Sequence, residues 1–279
     1  MFALSKIYRP ATAHPFLHNA SYVEVQPCDA LRPYIRCFWG TPQPASGTHL
    51  PPAIPRLVIP DTCMDIIFNM DVDHNELEDR FSGINITSFQ TQAQAVPSTS
   101  SCFAIRFYFW AVPLFSGESM RNVLNPVPDV EPYFKNFRRD FEQILFEHLS
   151  IQERVARAEQ YLVNRLNLNK QNQFVMNAVY KVLASRGTAQ VAELARYAMT
   201  GQRQLERLFQ EYVGVSPKRL SGLVRYQYLW QDILKHGLFN VQDAVYRYGY
   251  TDQSHLLNDF KKYHSQTPAE ARAFALRAR

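Results

Sequence analysis

Glycine and cysteine are scarce in this sequence, and their placement argues against several kinds of catalytic site. The ten glycines form no phosphate-cradling loop, and neither a Gly-x-Ser-x-Gly nor a His-Glu-x-x-His motif occurs. The four cysteines contain no Cys-x-x-Cys pair; they are Cys28, Cys37, Cys63 and Cys102. We expect reduced thiols in a core, with redox sensing or metal binding as the alternative. The sequence therefore predicts a protein that is not an enzyme and uses no metal or cofactor.

Long apolar runs are also missing. No stretch approaches the roughly 20 apolar residues of a membrane span, and the N-terminal residues lack the layout of a signal peptide. We therefore expect a cytoplasmic protein with no membrane partner. The 279 residues suffice for about two domains.

Negative charge is sparse in one part of the chain. From Lys170 onward there are 16 Lys and Arg residues against 8 Asp and Glu, whereas the first 169 residues carry a net charge of −3. A basic excess confined to one segment suits the neutralisation of nucleic-acid phosphates. The predicted phosphate contacts are Lys218, Arg219, Arg225, Lys261 and Lys262. A merely solvated basic face is the alternative for each of them.

The basic segment has the apolar period of short, paired helices. A 3.6-residue period predicts one helix–turn–helix unit from Val191 to Gly214 and a second from Val241 to His264. Helix starts are predicted at Ser216-Pro217, at Asn240 and at Thr267, where Glu270 completes a capping box. Helices of about eight residues do not persist alone in water, so the two helices of each unit must pack together.

The second helix of each unit leaves a polar face outward. Arg, Gln and Asn on such a face pair with guanine or adenine edges in the major groove. The candidates for facing bases are Gln202, Arg203, Glu206 and Arg207 in the first unit and Gln253, Ser254, His255 and Asn258 in the second. The alternative for Glu206 is to orient Arg207, and the alternative for His255, which we favour, is capping or packing.

One long helix is predicted between the units, from Pro217 to Lys235. At about 1.5 Å per residue it would be roughly 28 Å long, against about 34 Å between successive major grooves. One chain is therefore expected to read two half-sites on one face of double-stranded DNA.

Several short motifs follow one another in this segment in a fixed order. They are Ala192–Ala195, Arg203–Phe209, Gly214–Arg219, Gly249–His255, Asp259-Phe260 and Thr267-Pro268. Together they resemble the C-terminal domain of AraC/XylS-type bacterial transcription regulators. The resemblance implies a seven-helix domain with its first helix near Gln173–Ser185. It also implies base contacts from Arg203, Glu206 and Arg207, and from Gln253, Ser254 and Asn258. The chain departs from the family's usual residues at Gly201, Leu256, Asn258 and Ser265.

The first 129 residues contain short stretches of strand character separated by turn residues. The stretches are Ser21–Val25, Tyr34–Trp39, Arg56–Pro60, Met64–Met70, Phe81–Ile86 and Cys102–Trp110. Residues 1–20 are expected to form an irregular lead-in, Thr41–Pro55 a loop and Asp71–Asp79 an exposed turn. The strands predict a small antiparallel barrel or sandwich whose aromatic residues form a core or line a ligand cavity.

Part of this region also resembles the N-terminal domain of one branch of the same regulators. The similar residues are Leu31–Ile35, Trp39, Ile59–Asp61 and Met64–Phe68. The resemblance implies effector sensing, dimerisation or both. Alternation places Arg106 on the strand face opposite Ile105 and Phe107. If that face is interior, Arg106 is a candidate for binding an anionic effector; if it is outward, which we favour, Arg106 covers aromatic surface.

Residues 130–169 have a helical pattern. One face would carry Phe134, Phe137, Phe141, Leu145 and His148. Ser150 and Glu153 predict a capping box, after which Ile151, Val155, Ala158, Leu162 and Leu166 recur near heptad spacing. Packing on the same chain's strands and formation of a homodimer both explain this pattern.

The sequence thus predicts an α+β chain of two domains. A β-rich, effector-sensing domain spans 1–129, a helical pair with a linker spans 130–169, and a DNA-binding domain spans 170–279. The predicted function is transcription regulation, more often activation in the family, with double-stranded DNA, a small-molecule effector and RNA polymerase as partners. The alternative is an enzyme such as an alkylation-repair protein, or an adaptor, that uses the same DNA-binding domain.

Overall fold

The computed structural model describes residues 4–11, 23–41, 57–71, 73–90, 100–121, 123, 129–147, 150–235 and 239–277. In these residues a strand-rich part precedes a helical part, which is the predicted α+β order. The strands are β1 (Val23–Val25), β2 (Ile35–Gly40), β3 (Leu57–Val58), β4 (Cys63–Asp71), β5 (Glu76–Ser82), β6 (Phe89–Gln90) and β7 (Ser100–Tyr108). The helices are α1 (Leu4–Ile7), α2 (Phe137–Glu147), α3 (Ile151–Arg165), α4 (Gln173–Ala184), α5 (Val191–Tyr197), α6 (Gln202–Tyr212), α7 (Pro217–Lys235), α8 (Val241–Arg247), α9 (Gln253–His264) and α10 (Pro268–Arg277).

Five strands form one antiparallel sheet in the order β1-β2-β7-β4-β5, and β3 pairs separately with β6. The sheet is open in the described residues, with β1 and β5 as its edges, so the expected barrel or sandwich is not closed. β7 is central, pairing with β2 on one side and along its whole length with β4 on the other. Its residues from Phe103 to Tyr108 are all buried, so both faces of this part of the strand are covered.

The charged stretch Asp71–Asp79 is not a long exposed turn as expected. β4 continues to Asp71, residues 73–75 form a turn, and β5 begins at Glu76. Strand alternation explains the difference, because Leu77, Asp79 and Phe81 point inward while the charged residues between them point outward. The strand expected at Phe81–Ile86 accordingly ends at Ser82.

Helices α2 and α3 pack on this sheet. The predicted capping box is confirmed, with Ser150 and Glu153 each bonding the other's backbone N–H. Phe141 stacks on Phe68 at 5.2 Å between ring centroids. Most other described members of the predicted apolar faces are buried too, namely Phe134, Phe137, Leu145, Ile151, Val155, Ala158 and Leu162, whereas Leu166 is only half-buried. Because these side chains already pack within the same chain, a homodimer would need a different surface. His148 lies outside the described residues.

Residues 4–11 of the N-terminal lead-in are more ordered than the sequence indicated. Residues Leu4–Ile7 form a helical turn, and Tyr8 is buried, with its hydroxyl 3.0 Å from Thr62 Oγ1. The Tyr8 ring also contacts that of Tyr228 in α7, at 5.4 Å between centroids. Partners so distant in sequence leave no local signal, which is why the order was not predicted.

In the part of the C-terminal region that the structure describes there are seven helices, α4 to α10, as the resemblance implied. The caps are confirmed: the Asn240 side chain accepts from Gln242 N and Asp243 N, and Thr267 and Glu270 form the capping box. Around α7, Trp230 and His264 pack together at 4.5 Å between ring centroids. No helix in the described residues is long and apolar enough to cross a membrane.

Candidate nucleic-acid interface

The first helix–turn–helix unit consists of α5 and α6. α6 buries Leu205, Leu208 and Phe209 against its neighbours, and this fixes which side of the helix faces solvent. Gln202 and Arg203, at the start of α6, are exposed, and Glu206 is half-buried. The helix begins after Gly201, which makes no side-chain capping bond. The first turn of α6 therefore leaves backbone N–H groups available beside the exposed side chains.

Arg207 lies one turn further along the same face, and its side chain is 55% exposed. Its Nη1 is 3.3 Å from Glu211 Oε2, and its Nε donates to Gln204 Oε1 at 3.3 Å. These two residues, rather than Glu206, hold Arg207 in this structure. An exposed pair four residues apart on a helix is worth only about 0.3–0.5 kcal/mol, so a base or phosphate would displace it readily.

The second unit consists of α8 and α9. Asp252 caps α9 by accepting a hydrogen bond from His255 N at 2.8 Å. Gln253, Ser254 and Asn258 are exposed along the outer face of α9. The Gln253 Nε2 donates to Gln242 Oε1 at 2.7 Å, joining the start of α9 to the start of α8. Gln242 was not among the predicted site residues, because nothing in the linear sequence connects the two glutamines.

His255 has a local structural role. Its Nδ1 is 3.0 Å from Thr251 Oγ1, and its ring meets the Tyr250 ring edge-on at 5.2 Å. The side chain is therefore held against the turn that precedes α9. This geometry agrees with the capping and packing reading.

Four of the five predicted phosphate contacts are exposed cations. Lys218 and Arg219 lie in the first turn of α7, and Lys261 and Lys262 lie in the last turn of α9. Lys218 and Arg219 come shortly after α6, and Lys261 and Lys262 lie at the end of α9. Both pairs therefore lie near the polar outer faces of these two helices. Exposed cations at the rim of such a face suit contact with the DNA backbone.

Arg225 is placed differently from these four. Its side chain is only 18% exposed, and its Nη2 is 3.0 Å from Asp259 Oδ2. Its guanidinium lies 4.2 Å from the centroid of the Tyr250 ring, and the Tyr250 hydroxyl donates to the same carboxylate oxygen of Asp259. Arg225 therefore braces α7 against the second unit, and a phosphate contact would require this brace to open.

Helix α7 carries both units and also contacts the N-terminal part of the chain. Gln227, in its middle, is fully buried. Its Nε2 donates to Pro60 O at 2.8 Å, and its Oε1 accepts from Ala11 N at 2.8 Å. Next to it, Tyr228 donates to Ile7 O and Gln231 donates to Arg9 O. A glutamine among the apolar residues of a long helix could have indicated a buried polar contact. The partners of Gln227 could not be inferred, because they lie far away along the chain.

The effector candidate Arg106 lies inside the molecule, so the outward reading that we favoured is wrong. Its Nη2 is 2.7 Å from Asp61 Oδ2 and 3.3 Å from Asp65 Oδ2. Burial raises the pKa of Asp61 to about 6, while the charge of Arg106 acts to lower it. An anionic ligand would have to displace these two carboxylates, so the effector role stays a prediction. Asp65 is the direct cross-strand partner of Arg106 in the sheet.

The cysteines do not form an obvious reactive centre. Burial raises the pKa of the Cys37 thiol to about 12, and it raises the pKa of Cys63 as well. Thiols of this kind stay protonated and are poor nucleophiles at neutral pH. In the described residues, no three His, Cys, Asp or Glu side chains are grouped as metal ligands would be.

Two known domain families match the sequence. One, described as "Helix-turn-helix domain", matches residues 194–273, and the other, described as "Domain of unknown function (DUF6597)", matches residues 23–128. The first is a domain of the AraC type, and the second is known to accompany such domains. A comparison with curated proteins found no match.

Several solved structures are similar to the chain. A transcriptional regulator with an AraC-type DNA-binding domain from Chromobacterium violaceum is 25% identical over 37% of this chain and 91% of its own, with a TM-score of 0.34. ToxT from Vibrio cholerae is 13% identical over 80% of this chain and 95% of its own, with a TM-score of 0.41. ToxT with a bound unsaturated fatty acid is 11% identical over 92% and 96%, with a TM-score of 0.40. Whole-chain likeness of this size supports no inference about ligand or mechanism.

Proposed function

We propose that this chain, whose residues 194–273 form an AraC-type helix–turn–helix domain, is a sequence-specific DNA-binding transcription regulator. The observation that carries the proposal is the duplicated unit. Two recognition helices, α6 and α9, expose polar faces and are linked through one continuous helix of 19 residues, α7. Such a unit suits reading two major-groove half-sites of double-stranded DNA from a single chain.

The exposed side chains divide by their chemistry into two groups: readers, which would contact bases, and anchors, which would contact phosphates. Arg203 and Arg207 suit guanine edges, and Gln202, Gln253 and Asn258 suit adenine edges. Glu206 and Ser254 lie beside them as further base-facing residues. The anchors are Lys218, Arg219, Lys261 and Lys262, whose charge suits phosphates and carries no base preference.

The N-terminal part is proposed as the controlling domain, comprising a sensing region at 1–129 and the helical pair at 130–169. The contacts of Gln227, Tyr228 and Gln231 with residues 7–11 and Pro60 support this, because they connect α7 to the N-terminal part. A small-molecule effector or a partner that moves residues 7–11 would thereby change how α7 presents the two units. We propose that the protein activates transcription through RNA polymerase. It would do so in the cytoplasm, where the chromosome is accessible.

Arg106 is the proposed contact for an anionic effector. The Arg106→Lys variant keeps the charge but loses the planar fork that binds carboxylates in pairs. Its effector dose curve should shift to higher concentration, whereas an unchanged curve would remove Arg106 from the effector site. Within the described residues, no group of side chains suited to a metal ion favours the alternative of a repair enzyme with a metal-activated cysteine.

Selection from a random double-stranded DNA pool tests the main proposal. Full-length protein should enrich a site with two conserved boxes about one helical turn apart, and its affinity should fall steeply as salt rises. Binding with no sequence preference, with or without added cell metabolites, would contradict the proposal.

A further inference from the structure

Two exposed glutamines bridge the helices of the second unit. Gln242 is the second residue of α8, and Gln253 is the first residue of α9. The Gln253 Nε2 donates to Gln242 Oε1 at 2.7 Å. Exposed glutamine side chains ordinarily sample many rotamers, and a bond to a neighbouring side chain restricts them before any ligand arrives.

The direction of this bond decides what Gln253 offers to a ligand. A glutamine amide has two N–H donors and one carbonyl acceptor. After one N–H is given to Gln242, Gln253 keeps the other N–H and its carbonyl oxygen. In the major groove, adenine presents an acceptor at N7 beside a donor at N6, which is the complementary pair. With the bond reversed, the Gln253 carbonyl would be turned to Gln242 and its two donors would suit the paired acceptors of guanine.

The positions of the two residues suit two different roles, with Gln253 contacting a base and Gln242 orienting Gln253. In helix–turn–helix proteins the N-terminal residues of the second helix contact base edges, while the first helix crosses the DNA backbone. Gln253 lies at the base-facing position. Gln242 lies on the backbone-facing helix, and its own Nε2, whose two N–H groups are not used in the bond to Gln253, suits a phosphate oxygen.

We infer that Gln242 and Gln253 form a preset adenine reader in the second half-site, with Gln253 contacting the base and Gln242 acting as its positioning residue and as a phosphate donor. The inference rests on the proposed DNA-binding function and goes further by naming the base and the residue that orients its reader. Neither the sequence nor the family resemblance had assigned a role to Gln242.

The first unit provides an internal comparison. Ala192 is the second residue of α5, the place that Gln242 has in α8, and its methyl group makes no hydrogen bond. Gln202, the first residue of α6, is therefore not oriented from the first helix in this way. An oriented adenine contact is expected in the second half-site and not at the corresponding position of the first.

Random-pool selection with full-length variants tests the inference. Wild-type protein should enrich adenine at one position of one box, with about a tenfold to hundredfold preference over the other bases. Gln253→Ala should flatten that position alone. Gln242→Ala should weaken the same position and admit guanine, because the amide of Gln253 is no longer oriented. Gln202→Ala is the matched control and should leave that position unchanged.

Gln242→Glu separates positioning from phosphate contact. Its carboxylate still accepts the N–H of Gln253 but cannot donate to phosphate, so the adenine preference should persist while affinity for all sequences falls. A purely structural role of Gln242 would lower the melting temperature and leave the base preference intact. An unchanged adenine position in Gln253→Ala and Gln242→Ala, or guanine at that position in the wild type, overturns the inference while leaving DNA recognition in place. No preference at any position in the wild type overturns both.

Discussion

Gln227 offers a sharp test of how the two parts of the chain are joined. The Gln227→Met change keeps the length of the side chain but removes both of its hydrogen bonds, those with Ala11 N and Pro60 O. Gln227 is fully buried, so little water is available to replace it. Each of the two backbone groups left unpaired costs about 1–3 kcal/mol, so the free energy of unfolding should fall by about 2–6 kcal/mol.

Chemical denaturation of the full-length protein, followed by circular dichroism, measures this loss. Gln231→Met is the matched control, because Gln231 also donates to the N-terminal segment, at Arg9 O, but in an exposed setting. It should cost no more than about 1 kcal/mol, since water replaces its lost bond. Equal losses for the two variants, or a loss below about 0.5 kcal/mol for Gln227→Met, would refute the claim that this buried amide joins the N-terminal part to α7.

Three further predictions concern DNA readout, pH and the sheet interior. Arg207→Ala should weaken binding to the selected site by about 1–3 kcal/mol. Lys218→Ala should weaken binding to all sequences alike and flatten the salt dependence of the affinity. Equal effects of both variants on selected and random DNA would contradict the division into base-contacting and phosphate-contacting residues. Burial lowers the pKa of His264 to about 4 from 6.5, so its contribution to stability is complete above pH 6.5 and is lost as pH falls towards 4, a loss of about 3 kcal/mol. Denaturation curves of the native protein and His264→Phe at several pH values test this, and parallel pH dependences would show that His264 is not the cause. Arg106→Ala should lower the free energy of unfolding by about 3–5 kcal/mol, because Asp61 and Asp65 lose their buried counter-charge; a melting temperature equal to the native one would argue against that pairing.

The helical domain was predictable because its signals are local. Asn240 and Thr267 with Glu270 cap helices that begin right after them, so the boundaries can be read from a few adjacent residues. The apolar spacing then fixes which face of α6 and α9 is buried. The exposed positions of Gln202, Arg203, Gln253 and Asn258 follow from that spacing alone.

The features that were missed depend on contacts between distant residues. The edge strand β5 looked like a turn because its outward positions are charged, although Leu77 and Phe81 alternate inward. The order of residues 4–11 depends on contacts with α7, more than 200 residues away. For Arg106, alternation predicted only that it lies on the strand face opposite Ile105 and Phe107. That this face is interior, and that Asp61 and Asp65 pair with the arginine there, depends on the folded sheet and the segment before β4.

We propose that one chain reads two half-sites, which the single continuous helix α7 holds apart. Binding to the selected site should therefore be measured with about five or about ten extra base pairs between its boxes, half a turn and a full turn of DNA. A helix of fixed length cannot follow either insertion, so both should reduce the affinity to that of a single box. Full affinity with the ten-base-pair insertion would mean that separate chains or flexibly joined units read the boxes, and it would contradict the account.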